Sequence, residues 1–481
     1  MSPNVFPRKR VHFFRRLLTS TAWLSLCLTG CKLGPDYERP EVIVPAAYSY
    51  QPIGGKPLDE AWYGVFQDPV LEDLIRRASA NNRSLASLYF QTLQARALIR
   101  SERSEALPQI DVGGSYTRFE DSSQTGFGQT EAEDLFSASA LAGWELDVFG
   151  RVRRLVEAAE ADARAVEEAY LDLLLFIETE VAATYFLLQA NLLETAAVEG
   201  SVQTRSESLD IVRERFRGGF VSDLDVAQAE TLLAFSESDL AGLELERDQL
   251  IHALALLLGQ AASTFSIEPR LMSGAAPEIP SGLPSELLRR RPDIRQAEQD
   301  LVRANALVGV ATANFFPRFA LSGEVGYAAF EAEDWFESAS NFYSFGPSVS
   351  LPIFQGGRLR ADKAQAVAAY RSAVELYRQS ILEALVDVED ALTAWRHLRR
   401  QRAALERAAE SARRAQSVSD EQYRSGVIDF ITALDAEREA LDAERALAQV
   451  MGAEFVNSAL LVRALGGSWS SELPAYAPTQ P

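Results

Sequence analysis

From residue 151 to residue 217 the chain runs 67 residues with no proline and a single glycine, Gly200. Apolar or small side chains recur at Ala159, Ala163, Val166, Tyr170, Leu173, Ile177, Val181, Thr184, Leu188 and Leu192. Their steps alternate between three and four residues, the spacing of a helix packed lengthwise against other helices. At 1.5 Å per residue an unbroken helix of this length is a rod of about 100 Å. A globular core needs nothing so long, and few architectures accommodate it.

The rod occurs twice. With Arg151 set against Arg358, an offset of 207 holds without a gap, pairing Arg164 with Arg371, Tyr170 with Tyr377 and Val181 with Val388. "FRGG" at 216–219 then meets "YRSG" at 423–426, and Leu258-Gly259 meets Leu465-Gly466. Upstream, "ALPQIDVGGSY" matches "FFPRFALSGEVGY" with Pro108 on Pro317. One structural unit is therefore used twice, at 71–259 and 285–466, joined by a Pro/Gly/Ser-rich linker at 260–284. Residues 31–70 read as an extended N-terminal segment and 467–481 as a flexible tail. In each unit a first helix, 71–106 or 285–316, stops at or just before a proline. The long helix follows, then a glycine-bearing turn, then a returning helix that ends at Leu258 or Leu465.

Between the first helix and the long one the period changes to two. Ile110, Val112, Gly114 and Tyr116 alternate with polar or small residues, as do Phe136, Ala138, Ala140, Ala142, Trp144, Leu146 and Val148. The second unit repeats this with Phe319, Leu321, Val325, Tyr327 and Ala329, then Tyr343, Phe345, Pro347, Val349, Leu351 and Ile353. Such strands have one greasy and one small, polar face, and a length that suits a tilted membrane crossing. Polar loops near 119–134 and 330–341 join each pair. Pro347 cannot donate to a ladder, so it is expected at a bulge or at the bilayer edge. Four strands cannot close a barrel, and open edges in lipid leave backbone groups unpaired. Other copies of the chain are required to complete the sheet.

The N-terminus carries Arg8, Lys9, Arg10, Arg15 and Arg16, then an uncharged run from Leu17 to Leu28. This has the pattern of an export signal over 1–30, too short for a permanent membrane helix. "LTGC" at 28–31 resembles a lipobox, which implies cleavage before Cys31 and acylation of that cysteine. Cys27 would leave with the signal, so no disulfide and no cysteine metal site would remain. Lys32, where an Asp would stand in inner-membrane lipoproteins, favours outer-membrane sorting by the same resemblance.

The formal charge of −21 becomes about −26 without residues 1–30, which argues against nucleic acid as a partner. An enzyme is equally poorly supported. Of the three histidines, His12 lies in the signal, while His252 and His397 occupy unrelated helical positions. No nucleophile motif, phosphate loop, metal spacing or cofactor motif is present.

"CKLGPDYERP", "FQDPVLEDLIRRASANN", "LLRRRPDIRQAEQDLVRANALVGVATANFFP", "ELDVFGRVRR" and "LPIFQGGRLRA" together resemble the TolC-like outer-membrane efflux family, in its lipoprotein branch. The likeness covers nearly all of 31–466. It implies a mixed α/β membrane protein: a homotrimer with a twelve-stranded outer-membrane β-barrel, continuous with a periplasmic α-helical coiled-coil barrel. It implies an exit duct for small molecules in a tripartite pump, with a periplasmic adaptor and an inner-membrane RND-type transporter as partners. By motif match the gate at the periplasmic tip involves Asp225 and Asp435, with Leu224 and Ile431 as apolar constriction. Arg438 is placed to pair with Asp435 along the helix. Thr432 stands where relatives carry a second aspartate. Gly218, Gly219, Ser425 and Gly426 form the turns on which an adaptor would dock, although turn geometry accounts for the glycines equally well. Ser222 and Asp429 suit helix caps. Protein secretion through the same channel, or a coiled-coil tether without a pore, are the alternatives; the tether leaves the strands unused.

Overall fold

The computed structural model describes residues 31–50, 61–120, 122, 124, 132–272, 274–282 and 284–467. The signal at 1–30, nearly all of the tail and most of the 119–134 loop lie outside the described residues. The elements are α1 (Pro69–Asn81), α2 (Arg83–Ser104), β1 (Gln109–Phe119), β2 (Glu133–Leu146), α3 (Arg151–Arg217) and α4 (Asp223–Leu257). They recur as α5 (Leu287–Arg290), α6 (Pro292–Ala313), β3 (Arg318–Ala329), β4 (Asn341–Ser350), α7 (Arg358–Arg424) and α8 (Phe430–Ala464). Helices α3 and α7 are each 67 residues long, and α4 and α8 each 35.

One expectation needs correction in both halves. The helix expected over 71–106 is two helices, because Asn82 leaves helical geometry (φ −61°, ψ 127°). Its side-chain oxygen then caps α2, accepting from the Ser84 and Leu85 N–H groups at 2.9 and 3.1 Å. The helix expected over 285–316 breaks at Arg291, which Pro292 forces into extended backbone. Both breaks serve the same purpose. Asn82 Nδ2 donates to the carbonyl of Leu257 (2.9 Å), and Arg291 donates to that of Ala464 (3.1 Å). Each satisfies an orphan carbonyl at the end of the returning helix in its own half. Gly259 and Gly466 complete the contact with positive φ. A Cβ on Gly259 would lie 2.4 Å from the Asn81 oxygen, and one on Gly466 3.0 Å from the Arg290 carbonyl carbon.

The fold divides into two units. The first, from the described parts of 1–41, 92–166 and 297–377, holds the sheet. Its order is β1-β2-β3-β4, antiparallel throughout. The register pairs Ile110 with Ala142, Val112 with Ala140, Phe319 with Val349 and Val325 with Tyr343, so the alternate apolar residues of all four strands share one face. That face is bare: Val112, Tyr343 and Phe345 are 83, 80 and 73 % exposed. Aromatic groups gather at both ends of the sheet, Phe136, Trp335 and Phe336 at one and Phe149, Phe316 and Phe319 at the other. This is the girdle arrangement of a membrane β-sheet. The last strand stops at Ser350, so Leu351 and Ile353 lie beyond it. Pro347 sits opposite Leu321 in unbroken register, with no bulge. Within one chain β4 is the outer strand of the sheet, the setting in which a strand proline is usually found. Among the described residues no helix is long and apolar enough to cross a membrane.

The second unit, from the described parts of 42–91, 167–296 and 378–481, contains the hairpin ends. Trp62, fully buried, packs near Phe66, which meets Phe186 and Phe455. Farther along, apolar clusters centred on Val198, Leu243 and Leu441, and on Leu209, Val212 and Ala229, knit the hairpins together. Between them lies a polar knot. Arg205 Nε donates to Glu437 Oε1 (2.9 Å), which also accepts from Ser201, while Arg205 Nη1 reaches Ser236 and the Leu232 carbonyl.

Candidate functional site

Both long helices end in the same way. Gly219 N–H donates to Phe216 O and Phe220 N–H to Arg215 O, each at 2.9 Å. At the corresponding positions Gly426 N–H donates to Tyr423 O (3.0 Å) and Val427 N–H to Gln422 O (2.9 Å). These are Schellman closures, with the left-handed residue at Gly219 (φ +75°) and Gly426 (φ +78°). The turn geometry alone accounts for these two glycines. Gly218 is constrained differently: a Cβ there would sit 2.8 Å from the Phe220 ring. Ser425 instead donates its hydroxyl to the carbonyls of Glu421 and Gln422.

The returning helices also begin alike, with the chemistry reversed. At α4, Ser222 is the N-cap and accepts from the Asp225 N–H, while Asp225 Oδ2 accepts from Ser222 N–H (2.8 Å) and Oγ–H (2.7 Å). At α8 the carboxylate is the cap: Asp429 Oδ1 accepts from the N–H (2.9 Å) and hydroxyl of Thr432. Thr432 is therefore the partner of Asp429 and not a vacant acidic position. The hydroxyl and N–H donors of Ser222 hold Asp225 below the ordinary carboxylate range, and those of Thr432 do the same for Asp429. Asp225, a gate residue by motif match, also closes the cap of its own helix.

Asp435 stands apart from this pattern. It is exposed, and its partner is Arg438 at 3.3 Å, one helical turn along. Ile431, Asp435 and Arg438 form one exposed stripe of α8, while Ala433, Glu437 and Ala440 form its buried stripe. Leu224 of α4 is 64 % exposed and Ile431 51 %. Phe220 and Val427, at the turn tips, are also bare.

Sequence reasoning missed what ties the turns to each other. Arg215 Nη2 donates to the carbonyls of Tyr423 (3.2 Å) and Arg424 (3.3 Å), and its guanidinium lies 4.5 Å from the centre of the Tyr423 ring. Burial raises the Tyr423 phenol, Arg215 opposes that shift and Asp225 adds to it. The partners lie 208 and 209 residues away in sequence, so no local pattern announces them.

A four-stranded sheet with an exposed apolar face, in a chain that also carries two long helical hairpins ending in capped turns, fits a membrane channel component and would have no use in a helical tether. The model of the outer membrane efflux protein family matches residues 74–260 and 283–467, and the chain belongs to that family. It is 33 % identical over 457 residues to the solvent efflux pump outer membrane protein SrpC of Pseudomonas putida, covering 92 % of this chain and 97 % of the relative. It is 31 % identical over 456 residues to the cation efflux system protein CusC of Escherichia coli, covering 93 % and 97 %. The solved outer-membrane channel OprN superposes with a TM-score of 0.84 at 31 % identity, covering 91 % of this chain and all of that one. The protein is an outer-membrane exit duct of efflux pumps, in a family of channel proteins.

Proposed function

We propose that three copies of the chain close a twelve-stranded barrel, and that this barrel opens into a helical duct whose periplasmic end is the pair of capped turns. One observation carries the reading: β1 and β4 are the outer strands of a four-stranded sheet whose apolar face is bare. In lipid such edges are tolerable only when paired, and strand β4 of one copy against β1 of the next achieves this around a three-fold axis. Cys31, exposed in the structure, carries the acyl groups that hold the body to the outer membrane.

In the assembly the exposed stripe of α8 becomes a ring of Asp435 carboxylates backed by Ile431. That ring favours cations and narrows the exit. Arg438 restrains each carboxylate. The turns at Gly218–Gly219 and Ser425–Gly426 offer the surface on which a periplasmic adaptor docks, bringing an inner-membrane proton-driven transporter of the RND type into line. Cargo is small molecules selected by that transporter: relatives of similar identity are named for solvent and for cation efflux, so the duct itself discriminates little.

Native mass spectrometry of the purified protein in mild detergent tests the stoichiometry. The expected species has three chains, and the N-terminal peptide begins at an acylated Cys31. A monomer or dimer that retains the strand content would overturn the barrel.

A further inference from the structure

The segment after Cys31 is seated rather than merely tethered. Its seat is built on Arg154, whose side chain is fully buried at the start of α3. Arg154 Nε donates to Leu33 O (3.0 Å), and Nη2 donates to Gly34 O and Asp36 Oδ1 (3.1 Å each). Its remaining nitrogen holds Glu157 (2.9 Å), which also pairs with Lys32 at 2.7 Å. Leu33 N–H donates to the carbonyl of Phe149, just before α3. From the other repeat, α6 contributes Asn305, which donates to Pro35 O at 3.0 Å. The fit is tight at the backbone as well. Gly34 has φ +92°, and a Cβ on it would lie 2.5 Å from the Gly309 Cα.

Acyl chains bind a leaflet without direction, so by themselves they do not fix where on the protein Cys31 stands. The seat does. Residues 33, 34 and 36 supply three of the acceptors that satisfy this buried guanidinium, so if they left Arg154 would keep Glu157 alone. We propose that this seat, and not the lipid, fixes residues 32–36 against the start of α3 and so sets the point from which the lipid on Cys31 projects. The role of Arg154 is positional, and the lipid's presence at Cys31 rests on the acylation proposed above.

Amide exchange measured on the full-length protein in lipid nanodiscs tests this with three variants. Gly34→Ala attacks the segment and Arg154→Ala the seat. A chain carrying Cys31→Ser behind an ordinary cleavable secretory signal removes the lipid. Protection of the Leu33 amide, which donates to the Phe149 carbonyl, should fall about 100-fold in the first two, with peptides from 170–190 unchanged, and should persist in the unlipidated chain. Gly34→Ala alters no helical residue, and the unchanged 170–190 peptides report its folding, so the test stands even if Arg154→Ala fails to fold. Loss of protection in the unlipidated chain, or retained protection in Gly34→Ala, overturns the proposal. The mass of the N-terminal peptide in the same digest reports acylation separately: an unacylated wild type refutes the lipid reading and leaves the seat's test intact.

Discussion

Replacing Glu437 by leucine should loosen the hairpin ends without touching the turns. The carboxylate is buried, with its side chain 8 % exposed, and Oε1 accepts from both Arg205 and Ser201. Leucine removes that acceptor and leaves Arg205, 10 % exposed, with only Ser236 and the Leu232 carbonyl. Charges about 4 Å apart attract by about 4 kcal/mol at an effective dielectric near 20. Breaking one side of a buried pair costs a similar ~3–5 kcal/mol, because the other charge stays buried. Local opening should therefore rise by roughly 10²- to 10⁴-fold in 201–212 and 432–441, read by amide exchange. The double change Arg205→Met with Glu437→Leu should recover most of the loss, since a well-packed apolar pair replaces an ion pair at little net cost. Wild-type protection in Glu437→Leu, or a double variant no better than the single, refutes the assignment.

Glu178 gives a pH-dependent counterpart. Its partly buried carboxylate accepts from Trp62 Nε1 (2.9 Å) and Ser79 Oγ (3.3 Å), no cation among the described residues pairs with it, and desolvation raises its carboxyl. A raised carboxyl stabilises fully below its unfolded value and loses that contribution as pH climbs through the folded value. Glu178→Gln keeps the acceptor, so its melting temperature should match wild type near about pH 4 and exceed it by about pH 8; a difference independent of pH contradicts this. Gly426→Ala forces a Cβ into left-handed backbone at φ +78° and should cost about 1–2 kcal/mol, seen as faster exchange around 420–430. An unchanged rate there would mean that the Schellman closure is not what holds the turn.

The elements that read well from sequence were those with a local period. Three-and-four spacing gives α3 and α7, period two gives the sheet's apolar face, and the doubled pattern makes each half evidence for the other. The chain breaks at Asn82 and Arg291 read less well. Pro292 signals the second, but Asn82 breaks a helix to reach a carbonyl 175 residues away. The caps are partly legible: Ser222 and Asp429 read as N-caps, while the part Asp225 takes in the Ser222 capping box, three residues on, is shown by the structure. The Arg205–Glu437 pair and the Arg215 contact with Tyr423 join residues more than 200 apart, and each of those residues reads locally as one more charge or ring on a solvated helix.

Conductance of the purified protein in a planar bilayer, wild type beside Asp435→Ala, tests the central claim most directly. The account predicts discrete, cation-preferring steps, with longer or larger openings in the variant, where the carboxylate ring and its tie to Arg438 are gone. Well-folded oligomers that pass no current even when Asp435→Ala is combined with Ile431→Ala would contradict it.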